Sequence, residues 1–559
     1  MTGKNRLSKF WHELKRRKVI HVIVVYASAA LVIIELINNI TEPLRLPEWT
    51  PTLVIVLLSI GFPLAIIFSW IFDISSKGIS KTEPETEKLP TSLTEKPVPE
   101  KSIIVLPFEN ISSDPEQEYF SDGLTEEIIT DLSYIKDLLV ISRSSAMTFK
   151  GTKQTIKEIA GKVNVRYVLE GSVRKSNDKI RITAQLIDAQ NDVHLWAKKY
   201  DGEVGDIFDI QEKVSGSIAN ELNLKLNTNQ PNISNISDIR IFEVYYKAVN
   251  NVFHFEEEIT IRNIEFLDNA MLQLGNHPLL LTIKAWAMWS LVTMGFKPLE
   301  YLSEVEKILQ DSLKRDPDFS KTNSVLGWVN IHINYKKAIQ YFKKSLQLDP
   351  NEQLALQGIV VMYSTIGKTD EAILYLNRLQ QIDPLNYLTQ WLRGGINFYN
   401  GNFKEAFYEW DNQYENHLKV ASSSFFAALS LLYFESEEKV KEYIADKIDP
   451  TSQQSYDKLL RMLEQTLKND TDSLTAELDQ RFISLCKKDL SYAHHLATFY
   501  SLLNKKKDAL RWMGIAIDEG FINYPMIAEK DTLLDNIRGE KKFSELVANA
   551  KYEWENFEV

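Results

Sequence analysis

Three short stretches carry the side chains that could hold a ligand: Asp122-Gly123, Ser142-Arg143-Ser144 and Glu170-Gly171. Each resembles a loop position where a small polar ligand is gripped by main-chain and hydroxyl groups. The simpler reading assigns Gly123 and Gly171 to backbone geometry and leaves Arg143 solvated or ion-paired. Asp122, Gly123, Arg143 and Ser144 are the candidates carried forward. Catalysis has less to stand on. The chain has no GxxxxGK[ST] or GxGxxG phosphate cradle, no HExxH and no GxSxG. Its Ser and His residues lie outside any triad context. Cys486 is the single cysteine, so no disulfide forms within the chain and no Cys/His metal set exists. A proton relay through His21 and Glu35 is conceivable, but both lie near the ends of an apolar run, where side chains reach water at small cost. Asn39 and Asn232 open sequons of a kind that arise by chance. The expectation is no catalytic residue, no cofactor and no metal: not an enzyme.

The elements that carry the candidate loops alternate between strand and helix. Residues 102–108 form a short apolar strand, and 119–135 have helical spacing with Leu124, Ile128, Ile129 and Leu132 on one face. Residues 138–142 read as a strand and 155–163 as a short helix. Residues 167–174 and 179–188 alternate apolar and polar around Ser176-Asn177-Asp178, a hairpin. A strand at 193–200 and an amphipathic helix at 206–224, with Asp206 as its N-cap, complete an α/β module. Residues 104–129 (IVLPFENISSDPEQEYFSDGLTEEII), 141–145 (ISRSS), 167–175 (YVLEGSVRK), 180–188 (IRITAQLID) and 194–201 (HLWAKKYD) resemble the TolB N-terminal-like domain. The likeness covers residues 101–226. It implies an α/β sandwich with an interaction or regulatory role and no shared catalytic residues.

Ahead of this module lie two apolar runs, residues 19–37 and 53–72, each long enough for a helix to cross a hydrocarbon core. Seven basic residues and one acid precede the first run, and the loop 38–52 has only Arg45. This bias predicts a membrane hairpin over residues 1–77 with both chain ends in the cytoplasm. The stretches at 11–20 (WHELKRRKVI), Gly61-Phe62-Pro63, 70–74 (WIFDI) and Gly78-Ile79 resemble a hairpin found at the front of bacterial tetratricopeptide proteins. That resemblance implies a multi-pass protein of the bacterial inner membrane. Residues 78–100 hold Pro84, Pro90, Pro97 and Pro99 and few large apolar side chains, so they read as a flexible linker.

Beyond residue 240 the pattern is helix after helix. Ala338, Ala372 and Ala406 fall 34 apart, as do Phe342, Leu376 and Trp410. Gly367 and Gly401 repeat at 34, and Asp-Pro pairs at 316–317, 349–350 and 383–384 close successive units with Pro350 and Pro384. A small residue lets antiparallel helices approach, glycine makes the turn, the large residue fills the pair, and proline stops the helix. The spacing resembles the tetratricopeptide repeat, with frames at 319–352, 353–386 and 387–420 inside an array over 240–555. Lys368 reads as a solvated turn residue, and Trp328, Tyr363 and Trp391 as repeat core.

The expected fold class is therefore multidomain: a transmembrane helical hairpin, an α/β TolB-like sandwich and an all-α tetratricopeptide superhelix. A formal charge of −12, with the excess of acid on the body, argues against nucleic acid as a partner. A superhelix leaves its concave face free for an extended peptide or helix. The expected function is a membrane-tethered, non-enzymatic scaffold or regulator that binds protein or peptide partners; the oligomeric state is left open. Two alternatives stand beside it. One is the regulatory part of nucleotide-cyclase signalling, without a catalytic domain; the other is an extracytoplasmic envelope protein.

Overall fold

Residues 72–75 and 78–81 turn the chain back on itself: strand Phe72–Ser75 pairs antiparallel with Gly78–Lys81, Ile74 opposite Ile79. The computed structural model describes residues 26, 29–31, 33–37, 47, 49–75, 78–81, 97–112, 118–135, 137–176, 178–224, 239–252, 256–416 and 421–559. It divides into two units, 1–96 and 97–559.

In the first unit a helix spans Thr50–Ile71. The Tyr26 hydroxyl donates to the Leu58 carbonyl at 2.9 Å, over Gly61, where a Cβ would collide with it. Among the described residues no helix is long and apolar enough to cross a membrane. That finding overturns the transmembrane hairpin, and with it the multi-pass inner-membrane placement and the topology built on it. Most of the run 19–37, the basic tip 1–18 and residues 82–96 of the linker lie outside the described residues. The linker's first residues, Gly78–Lys81, are a strand instead.

In the second unit six strands make one mixed sheet. They are β1 (Ser102–Val105), β2 (Glu109–Asn110), β3 (Leu139–Val140), β4 (Tyr167–Ser176), β5 (Lys179–Asp188) and β6 (Val193–Glu203), in the order β3-β1-β4-β5-β6 with β2 also on β4. β1 runs parallel to β3 and β4, while β4, β5 and β6 form an antiparallel meander. The helix Glu118–Ser133 buries Leu124, Ile128 and Leu132 in the same core as Ile103, Ile104 and Val168, together with Ile210, Val214 and Ile218 of helix Ile207–Glu221. Thr155 and Glu158 close a capping box on helix Ile156–Val163. Asp206 makes no side-chain cap of its own; its carboxylate accepts the Glu203 N–H at 2.8 Å.

The rest is helical. The three clearest pairs are Ser320–Asn330 with Tyr335–Leu348, Gln353–Thr365 with Thr369–Ile382, and Tyr387–Tyr399 with Phe403–Asn416. Ala338, Ala372 and Ala406 are fully buried, as are Phe342 and Trp410, and Leu376 is close to it. Gly367 and Gly401 turn the chain at φ +78° and +80°, where a side chain is strained. Asp349 and Asp383, each preceding a proline, leave the helical region at φ −136°, since the proline ring disfavours helix in its neighbour. Gly327 and Gly358 lie on the two sides of Phe342, and a Cβ on either would run into its ring.

Helices alternate between two kinds. Pro278–Thr293, Ser320–Asn330, Gln353–Thr365, Ala421–Leu431, Ser455–Leu467 and Leu490–Leu502 expose no residue, and Tyr387–Tyr399 exposes only Arg393. Helices such as Tyr335–Leu348, Thr369–Ile382 and Lys506–Glu519 bury one stripe each. A helix with no exposed residue is covered on every side, whether apolar all round like Pro278–Thr293 or carrying buried charges like Lys458 and Arg461 of Ser455–Leu467. The later helices supply that cover. Ser455 Oγ donates to the Thr293 carbonyl (3.2 Å), and Trp554 Nε1 donates to the Gly367 carbonyl (3.2 Å). Lys530 Nζ donates to the Asn400 carbonyl at 2.8 Å. The open groove expected along the inner helices is filled by the chain itself.

Ala372→Leu should accordingly cost about 1–3 kcal/mol in urea unfolding of the full chain, since the added carbons have no space to enter. Lys368 is no neutral control, because its Nζ stands 4.6 Å from the Trp554 ring. The exposed Asn377→Ala is, with an expected change under about 0.5 kcal/mol. Equal small effects at Ala372 and Asn377 would contradict the packing.

Candidate functional site

The turn after β3 is where the α/β domain meets the helical array. Ser142 ends the strand region and caps the short helix Arg143–Met147, accepting the Ser145 N–H at 3.3 Å. Its own N–H donates to the Ile382 carbonyl at 2.6 Å, which carries the main-chain pairing of the sheet edge over to the array. At the next residue, Asp383, the fully buried carboxylate accepts hydrogen bonds from Ser142 Oγ, from Ser144 Oγ (2.7 Å), from Ser145 Oγ (2.7 Å) and from Asn386 Nδ2 (2.7 Å). Ser145 Oγ in turn accepts the Leu385 N–H at 3.0 Å. Three hydroxyls from one domain thus satisfy one carboxylate of the other. Hydrogen bonds to an ionised acceptor are the strong kind, and a buried acceptor needs them.

Beside this hub lies a second layer of charge. Helix Glu118–Ser133 brings Glu126, Glu127 and Tyr134's neighbouring turn toward the array, and the array answers with Tyr245, Tyr246, Lys321, Asp349 and Glu352. Arg143 Nε lies 3.3 Å from Glu126 Oε2, and Lys321 Nζ lies 3.8 Å from Glu352 Oε2. The Tyr246 hydroxyl donates to Glu127 Oε1 at 3.4 Å. Burial, with Glu126 and Asp131 adding to it, pushes the Glu127 carboxyl up to about 8. Burial and Glu352 push Asp349 up to about 6. Burial works against the Lys321 charge, yet Tyr245, Glu352, Glu126 and Asp349 outweigh it and raise its pKa. The seam therefore holds more carboxyls than cations, and protonation relieves it.

The sign follows from the raised value. Glu127 binds its proton more tightly folded than unfolded, so its contribution is full below the ordinary carboxylate range and is lost as pH rises through about 8. Glu127→Gln should match the parent at about pH 5 and be more stable by about 1–3 kcal/mol at about pH 8. Thermal unfolding across that interval checks it; a constant difference would contradict the burial of this acid.

The candidate residues are dispersed. Arg143 and Ser144 lie in the seam, spent on Glu126 and Asp383. Asp122 is buried in helix Glu118–Ser133 with both oxygens taken by Lys150 Nζ at 2.6 and 2.8 Å, and Gly123 is buried next to it. Gly171 lies on β4 where a Cβ would strike the Phe108 ring and the Thr183 carbonyl, and Glu170 accepts from Gln185 across the sheet. Arg143 is ion-paired, and Gly171 is set by the close approach of Phe108 and Thr183 rather than by a special backbone conformation. The residues that do converge, Asp383, Glu127, Lys321 and Glu352, went unread. One signal was available: Asp316, Asp349 and Asp383 recur at the same point of successive units, and the last two face the α/β domain.

A second buried polar group links later helices. His494 Nε2 lies 2.8 Å from Asp531 Oδ2, the Tyr433 hydroxyl donates to Asp531 Oδ1 at 2.9 Å, and the His494 ring stacks on Phe521. His494 and Asp531 are buried. Cys486 is buried as well, and that burial pushes its thiol well up, away from a reactive thiolate. Among the described residues no group of three or more His, Cys, Asp or Glu is placed to hold a metal ion.

Residues 99–215 match the family described as HilA/YgeH-like transcriptional regulator, second domain. A protein of Rhizobium meliloti (strain 1021) named "Putative adenylate cyclase 3" is 50% identical over 137 residues, which is 24% of this chain. The matched stretch is 23% of that relative, so the chain spans under a quarter of its length. A regulator-like domain and a cyclase-named relative are both compatible with a signalling or regulatory role. The likenesses to TolB and to tetratricopeptide proteins stay resemblances.

Proposed function

We propose that this chain is a non-catalytic regulatory protein in which the helical array holds the regulator-like α/β domain as part of one unit and offers its outer surface to a protein partner. The observation that carries this reading is the Asp383 hub. The serine turn that could have gripped a ligand is used to grip the array. The polar groups with a catalytic look, His494, Asp531 and Cys486, are buried, which supports a structural use for them. Partner binding along the inner helices is disfavoured by their cover, which leaves the outer helices, where Leu374 is 67% and Tyr408 53% exposed at the same position of successive repeats.

The test has two arms. Purified full-length chain with ATP or GTP and a divalent cation should form no cyclic nucleotide; steady turnover would overturn the non-enzymatic reading. Crosslinking to proteins should fall on Leu374→Asp with Tyr408→Asp while the fold is kept. Unchanged crosslinking would remove the outer face from the proposal. The name of the cyclase relative favours one second reading, in which the partner belongs to cyclic-nucleotide signalling.

A further inference from the structure

One edge of the sheet ends in an open strand. β6 pairs with β5 on one side, and no other strand of the described residues pairs with its far side. It is 11 residues long, and Ala197, Lys199, Asp201 and Glu203 on it are exposed. The hydrogen bonds at its end fix which main-chain groups face outward. The Val204 N–H turns back to the Asp178 carbonyl at 2.8 Å, whereas the Glu203 N–H turns away and donates to the Asp206 carboxylate at 2.8 Å. Along an antiparallel ladder this alternation repeats every second residue. The pairing with β5 is regular from Ala197 to Glu203, with the bulge lying beyond Trp196. Ala197, Lys199 and Asp201 therefore present their N–H and C=O groups to the open edge.

An unpaired row of this kind accepts another strand unless something blunts it, and an edge lysine is the usual device. Lys199 serves as one against a foreign strand. Against a second copy of the same strand it has a complement two residues on. Asp201 shares its face of the sheet and is held at 2.6 Å by Arg181 of β5. Antiparallel pairing of two β6 strands about a two-fold axis at Tyr200 sets Lys199 of each copy opposite Asp201 of the other. Their outward N–H and C=O groups then meet each other, and symmetry makes every contact twice. Moving the axis to Lys199 sets the two lysines opposite each other, and moving it to Asp201 does the same to the aspartates. Like charges directly opposite repel, so the register at Tyr200 is the one the charges select. We infer that β6 is a self-association edge, through which two copies of this chain join their sheets into one, antiparallel about Tyr200. A single strand edge is a small contact, so the dimer is reversible and depends on concentration.

Sedimentation equilibrium of the full chain, taken up to about 100 µM, should show a monomer–dimer equilibrium. Lys199→Glu and Asp201→Lys, both at exposed positions, should each weaken it about tenfold or more, because two attractive pairs become repulsive at once. An equimolar mixture of the two variants should restore it. Only the mixed dimer sets Glu against Lys at one of the two pairs and Asp against Lys at the other. A parent chain that stays monomeric at the highest concentration overturns the proposal. So does a dimer indifferent to both single variants, or a mixture no more associated than its components.

Discussion

Asp383→Ala is expected to lower the stability of the chain by about 1–3 kcal/mol, the scale for leaving buried hydrogen-bonding groups without their partner. The carboxylate is fully buried and accepts from Ser142, Ser144, Ser145 and Asn386, so its loss leaves the buried Ser142 and Ser145 hydroxyls without the acceptor they donate to. The loss falls on the joint between α/β domain and array, so unfolding should change form as well as midpoint. A single calorimetric transition should separate into two, one for each body. Asp383→Asn keeps the shape and one acceptor oxygen, and should fall between parent and Ala. An Ala variant whose unfolding superimposes on the parent's would show that the joint does not depend on this residue.

Phe342→Ala should cost about 3–5 kcal/mol, the range for emptying a buried aromatic site. Phe342 is fully buried with Gly327 on one side and Gly358 on the other. Both glycines stand inside helices, where glycine is about 1 kcal/mol worse than alanine, so the ring is the reason for them. Gly358→Ala alone should destabilise by about 1–3 kcal/mol through overpacking. Added to Phe342→Ala, the same methyl enters vacated space. The double variant should therefore be more stable than the sum of the singles by about 0.5–3 kcal/mol in a urea-unfolding cycle. Strict additivity would mean that ring and glycine do not touch.

The local pattern made the sheet and the repeats legible. Alternation over 167–188 marks the β4–β5 hairpin, and the 34-residue interval puts Ala338, Ala372 and Ala406 at buried helix contacts. Both signals lie within a few residues or a fixed period. The seam has neither property. Ser142 and Asp383 are 241 residues apart, and Asp383 has the same local look as any acid before a proline. Its meaning comes from what the fold sets opposite it. The cover was hidden for a related reason: the repeat period describes neighbours in the array and is silent about later segments, whose Lys530 and Trp554 bond to the turns at Asn400 and Gly367. The apolar runs at the front show the opposite failure. The length of the apolar runs and the basic bias around them predict a membrane hairpin, whereas among the described residues no helix is long and apolar enough to cross.

The central claim is that the α/β domain and the array are clasped by direct hydrogen bonds at Asp383. The measurement closest to it is a double-mutant cycle on Ser145→Ala and Asp383→Ala in the full chain, read by equilibrium urea unfolding. Ser145 Oγ donates to Asp383 Oδ1 at 2.7 Å, so the two losses should overlap, with a coupling energy of about 1–3 kcal/mol. A coupling indistinguishable from zero, with each single variant destabilising on its own, would place the two residues apart and contradict the clasp.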